Sequence, residues 1–174
     1  DSSHLRAVDA IDPGNEDARK LLAGGFVHAG ISPGLTNPSA GLLGHVRLGS
    51  SNYVAQPAAA SQFVLVESAR NNDRYPASLA GQLELLNQRL DGQATASSLF
   101  LSDSLSHSLE QAKQAPIEQL KAGDRPVILV AHTDLEVESA LALVSARNLR
   151  GLLASTGRLG PFVDRLAQHQ LGVI

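Results

Sequence analysis

The chain has 174 residues, of which 43% are apolar and 18% charged, and its formal net charge is −3. This is about one domain of an ordinary globular protein. The mild negative balance gives no electrostatic footprint for nucleic acid and no basic run for an anionic membrane. The absence of cysteine rules out disulfides, thiolate metal sites and cysteine nucleophiles, and leaves the redox compartment open.

No apolar stretch is long enough to span a bilayer. The expectation is a soluble protein, cytoplasmic or periplasmic. The chain contains no methionine and opens on Asp1-Ser2-Ser3-His4, so it reads as a processed or excised piece: a single α/β domain or fragment over residues 1–174.

In chain order, Asp12-Pro13 looks like a helix start, with a capping carboxylate followed by proline at the first helical position. Ala18, Leu21 and Leu22 supply a stripe, and Gly24-Gly25 a stop. Residues 26–31 then read as a buried strand running into the Ser32-Pro33-Gly34 turn. Residues 35–70 lack a helical stripe and read as a β-rich excursion. Within it, Gly44-His45-Val46-Arg47-Leu48 alternates like a half-exposed strand, and Phe63-Val64-Leu65-Val66-Glu67 reads as a more buried one.

The segment Tyr75-Pro76-Ala77-Ser78 opens the longest helix, with Leu79, Leu83, Leu86 and Leu90 on its inner face and Asp91-Gly92 at its end. A linker over about residues 92–104 follows, then two short helices over 105–114 and 116–121. The apolar run Pro126-Val127-Ile128-Leu129-Val130-Ala131 is the organising strand. It is bounded by polar residues and reads as buried on both faces, as in a parallel sheet covered by helices.

A helix follows this strand at once. Thr133 and Glu136 fit a capping box, in which the threonine oxygen accepts a backbone N–H three residues on and the glutamate reaches back. Asn148 suits a left-handed stop. Arg150-Gly151-Leu152-Leu153-Ala154 gives a further strand, residues 159–168 a further helix, and Leu171-Gly172-Val173-Ile174 the beginning of another strand. The fold class expected is α/β: a partial, (β/α)8-barrel-like parallel sheet with a β-rich excursion.

Ligands in such sheets bind beyond the carboxyl ends of the strands. Here those ends carry His132-Thr133-Asp134 and Ser155-Thr156-Gly157. His132 is the candidate metal ligand or catalytic residue, set against a plain hydrogen-bonded strand-end histidine. Asp134 is the candidate general base, set against a first-turn carboxylate that favours the helix dipole. His28 reads as a satisfied core histidine, and His107 and His169 as solvated. No His-x-His, His-Glu-x-x-His, phosphate-binding glycine loop or Gly-x-Ser-x-Gly elbow occurs.

Several of these runs, taken together, resemble an amidohydrolase of the imidazolonepropionase-like branch. They are Ala10-Ile11-Asp12-Pro13, Gly24-Gly25-Phe26-Val27-His28, Ser32-Pro33-Gly34, Gly44-His45-Val46-Arg47-Leu48, the Tyr75-Pro76-Ala77-Ser78 helix start, and the strand ending in His132. Each is short; their order and spacing from about Val8 onward carry the likeness. The resemblance implies the middle portion of a metal-dependent (β/α)8 barrel that hydrolyses amide or cyclic-amide C–N bonds. By that likeness the family's histidine on the organising strand falls at Val130, and the next strand-end histidine near Ala154 or Ser155.

At those positions the chain departs from the family's pattern. The expectation is therefore no metal or other cofactor in this chain, with zinc or another divalent ion in the full-length parent. Two functions fit: part of an amidohydrolase, or a degenerate non-catalytic relative kept for binding or structure. The partners expected are a small-molecule substrate, and a second copy or the rest of the parent chain.

Overall fold

Val127-Ile128-Leu129-Val130 has no polar side chain, and β4 (Val127–Val130) is buried at every position. A computed structural model of the chain describes residues 2–70, 75–93 and 103–174, the side chains of 103–106 excepted. Before β4 come α1 (Glu16–Ala23), β1 (His28–Ile31), β2 (Ser39–Arg47), β3 (Val54–Val64), α2 (Leu79–Leu90) and α3 (Asp103–Lys121). After it come α4 (Asp134–Arg147), β5 (Gly151–Ala154), α5 (Val163–Gln168) and β6 (Gly172–Val173). Among the described residues these strands form one six-stranded sheet in the order β1-β2-β3-β4-β5-β6. The β1–β2 and β2–β3 pairs are antiparallel, and the β3–β4, β4–β5 and β5–β6 pairs are parallel. The sheet curls into half a barrel, the mixed α/β class expected.

The period of two along each strand divides the core into two layers. Phe63, Leu129 and Leu153 lie side by side in register. They belong to the larger cluster, with Leu86 and Leu90 of α2, Ile117 of α3, Val137 and Leu141 of α4 and Leu166 of α5. Val64, Ile128 and Val130 belong to a second cluster on the other face, with Ala40 of β2 and with Leu152 and Ala154 partly buried against it. The helices thus cover one face, and the other is the concave inner wall of the half-barrel.

Local signals account for the helix ends. The Thr133–Glu136 capping box is present in full, and Asn148 caps α4 in the left-handed region at φ 50°. The Ser78 side chain caps α2 by accepting from the Gly81 N–H. None of the described helices is long and apolar enough to cross a membrane.

Several expectations are corrected. Residues 26–31 do not make a buried strand: Phe26 and Val27 are exposed, and β1 is an antiparallel edge strand. The apolar run gave no information on direction or depth, and its depth is set by having only β2 as a neighbour. The excursion contributes longer strands than its composition suggested. Half of the stretch Val54–Ser61 is alanine, a poor strand former on its own, and it is held by pairing with β2.

Helix α1 starts three residues later than Asp12-Pro13 suggested. The Asp12 carboxylate accepts from the Gly14 N–H in a local turn, and Asn15 is the cap. The two short helices are one: α3 continues through Pro116, whose ring is buried. The expected helix over 159–168 is a 3-10 turn (Gly160–Phe162) followed by α5, with Phe162 and Leu166 inside and Val163 exposed. The expected linker at 92–104 falls largely outside the described residues.

Candidate functional site

The carboxyl ends of β3 and β4 border a cleft of about 300 Å3, lined by Val66, Glu67, Arg70, Leu79, His132, Thr133 and Glu136, among others. Glu136 organises it. Its place at the third helical position turns the carboxylate back over the strand end, where Oε2 accepts from the backbone N–H groups of His132 and Thr133, both at 3.0 Å. Oε1 accepts from Arg70 Nη2 at 2.7 Å. The same Arg70 nitrogen donates to the Leu65 carbonyl at 2.8 Å, and Arg70 Nε donates to Gln82 Oε1 at 3.0 Å. Gln82, wholly buried, donates in turn to the carbonyls of Val64 and Val66.

One polar network therefore ties the end of β3, helix α2, the end of β4 and the start of α4. Glu136 is 3% exposed. Burial by itself would push its carboxyl up. The N–H groups of Thr133 and His132, the Thr133 side chain and Arg70 outweigh that and hold it below the usual carboxylate range.

His132 is half-buried at the end of β4, and its Nδ1 accepts from the Thr156 N–H at 3.3 Å. An imidazole that accepts at Nδ1 carries its proton on Nε2 when neutral, so neither nitrogen presents a free lone pair to an ion. Gly157 lies so close that a Cβ there would meet the His132 carbonyl oxygen at 2.0 Å. This contact holds the loop after β5 against the end of β4.

Asp134 is exposed in the first turn of α4. It borders a different depression, with Arg158, Leu159, Gly160 and Pro161. The two sequence candidates thus face separate concavities. A larger cavity, of about 750 Å3, lies under the amino-terminal segment, lined by Ser2, His4, Arg6, Asp9, Pro33 and Asn37, among others.

The family likeness puts metal ligands at Val130 and near Ala154 or Ser155. Val130 and Ala154 are register partners on β4 and β5 and belong to the inner apolar wall, and the Ser155 hydroxyl accepts from the Gly157 N–H at 3.1 Å. Among the described residues no group of three or more histidine, cysteine, aspartate or glutamate side chains could hold a metal ion. The network residues Arg70 and Gln82 were not singled out in the sequence. The half-buried partner of a capping-box glutamate leaves no local signal when it lies 66 positions away.

No protein-family model matches the chain, and no curated protein matches it either. Among solved structures, the crystal structure of an amidohydrolase from Thermotoga maritima MSB8 superposes with a TM-score of 0.83 at 15% sequence identity. The match covers 99% of this chain and 48% of that one, so the chain spans about half of the neighbour's length. At this identity the likeness is one of fold: the half-barrel is amidohydrolase-like in architecture.

Proposed function

We propose that this chain is part of an amidohydrolase-like hydrolase of the imidazolonepropionase-like branch, acting on non-peptide or cyclic amide C–N bonds, and that its own residues do not hold the metal. The amidohydrolase-like fold supports the hydrolase part of this reading. The pair Val130 and Ala154, in register on the inner wall at the strand ends, carries the part about the metal and equally favours the second reading below. In hydrolases of this kind a bound ion polarises the carbonyl oxygen and supplies a hydroxide nucleophile. A catalytic zinc site takes about three protein ligands. Two aliphatic side chains donate none, His132 has its Nδ1 lone pair engaged, and the Glu136 carboxylate is already engaged by three donors. The residues present do not fit the ion, and no hydrolytic step is assigned to them. Their part is an inner wall and a cleft whose volume is at the lower end of the range for small-molecule sites.

The engaged Glu136 also favours a second reading, a degenerate domain kept for binding or as a structural partner to an active copy. Both readings give the same expected result for the isolated chain: after dialysis against a chelator it holds no stoichiometric zinc, iron or manganese. Elemental analysis checks this. One tightly held ion per chain overturns the proposal. Assay of the longer parent for cyclic-amide hydrolysis then separates the two readings.

Association is a further part of the proposal. Strand β4 has neighbours on both sides, so neither of its edges is open to a partner. The β6 edge is open instead, with Val173 and Ile174 exposed and no charged side chain from Leu171 to Ile174. A second copy, or the rest of the parent, is proposed to add there. Light scattering should show mass rising with protein concentration, and Val173→Lys should suppress the rise. A monodisperse monomer at all concentrations overturns this.

A further inference from the structure

The β1–β2 pairing brings together two histidines that lie 17 positions apart in the chain. Gly30 faces His45 across the ribbon, and His28 faces Arg47. Register partners share a face, so all four positions lie on one side of the antiparallel pair. The two imidazoles meet diagonally across the strand pair. Their centroids are 4.9 Å apart with the ring planes tilted by 32°. His45 Nε2 lies 2.9 Å from His28 Nδ1. His28 is exposed and His45 half-buried, so the pair is open to solvent.

We propose that His28 and His45 form a two-imidazole binding site for a divalent transition-metal ion, with Cu2+ preferred over Ni2+ and Zn2+. Imidazole nitrogens bind such ions at about 2.0–2.1 Å. Two ligands at right angles on one ion are then about 2.9 Å apart, which is the spacing already present. The backbone need not move; the rings turn until both lone pairs face the ion. In the metal-free pair one of the two facing nitrogens carries the proton of their hydrogen bond. If that is His45 Nε2, its ring changes tautomer on binding and the proton moves to Nδ1, while His28 keeps its proton on Nε2. Two neutral imidazoles then donate, and the neutral pair releases no net proton.

Water completes the coordination. Two protein ligands hold an ion less firmly than the three or four of catalytic and structural sites. The guanidinium of Arg47, opposite His28, opposes a cation further. The ion should therefore exchange on dialysis against a chelator, which separates this site from the tightly held hydrolytic metal considered above. Affinity should follow the general order for nitrogen ligands, with Cu2+ tightest.

The location is distinct from the cleft at His132. His45 pairs with Gln56, five positions before the Ser61–Val127 register pair where β4 joins the sheet, so the ribbon here extends beyond the amino ends of the parallel strands. The site neither uses nor depends on the hydrolase reading. Its ion would pin the edge strand β1 to β2.

The test is calorimetric titration of chelator-treated protein with Cu2+, Ni2+ and Zn2+ salts, together with electron paramagnetic resonance of the Cu2+ complex. The expected result is one ion per chain, with coupling to two imidazole nitrogens. Loss of a directly bound ligand should cost no less than the about 10–100-fold typical of losing an outer-shell partner. His28→Gln and His45→Gln are therefore each expected to weaken binding by at least about tenfold, whereas His4→Gln and His107→Gln leave it unchanged. His28 is exposed, so His28→Gln carries the test even if His45→Gln impairs folding. No binding, unchanged affinity in His28→Gln, or coupling to one nitrogen overturns the proposal.

Discussion

Replacing Glu136 with alanine is expected to lower the unfolding free energy by about 3–5 kcal/mol, the usual cost of removing one partner of a buried ion pair. The substitution leaves Arg70, whose side chain is 22% exposed, without its carboxylate. It also strips an acceptor from the His132 and Thr133 N–H groups at the start of α4. Against a total of about 5–15 kcal/mol for a typical domain, the variant should lose a large share of its stability. Urea denaturation measures it.

The same residue sets a pH dependence. Its carboxyl titrates lower in the folded state than in the unfolded chain, because the N–H donors and Arg70 outweigh burial. Across that interval the unfolded chain binds more protons, so stability rises with pH. The contribution is complete above the unfolded carboxylate range and is lost as pH falls through the folded value. The gap between the wild-type and Glu136→Ala denaturation midpoints should therefore narrow in acid. A gap that stays constant from neutral pH into strong acid would show that the charge of Glu136 is not what stabilises the strand end.

Leu129→Ala should cost a comparable amount, about 2–5 kcal/mol, through lost transfer energy and the cavity left behind. Leu129 is wholly buried in the central parallel strand, flanked in register by Phe63 and Leu153, themselves 1% and 0% exposed. Neighbours held by two strand pairings cannot collapse easily into the space. Leu135→Ala is the control: with Leu135 67% exposed, the change should stay within about 0.5 kcal/mol. Equal effects of the two substitutions would mean that β4 is not at the centre of the sheet.

These expectations show where the sequence was informative. Thr133, Glu136 and Asn148 act through partners within a few residues, so the start and stop of α4 could be read from local chemistry. The uninterrupted apolar run of β4 likewise announced burial on both faces. Direction and depth were not encoded in the same way. Residues 26–31 are as apolar as an inner strand, yet their place at the edge follows from the β2 hairpin.

The candidate site was half legible. His132 was found at a strand end, but its engagement by the Thr156 N–H needs the β4–β5 register. The Glu136–Arg70 pair and the facing His28 and His45 join residues whose separation carries no spacing signal. Only the sheet register brings them together.

The order of strands in the sheet repeats their order in the chain. Each strand, once made, finds its first neighbour in the strand made just before it. Among the described strands the one edge that waits long is that of β3, whose partner β4 begins only at Val127. The widest gap is between β3 and β4, and it is filled by helices that cover the outer face of the same two strands. A chain emerging from the ribosome could therefore build this sheet by addition at one growing edge, each completed pair serving as the template for the next. Such an order keeps apolar strands exposed for the shortest time, which limits the chance that copies on neighbouring ribosomes pair with each other instead.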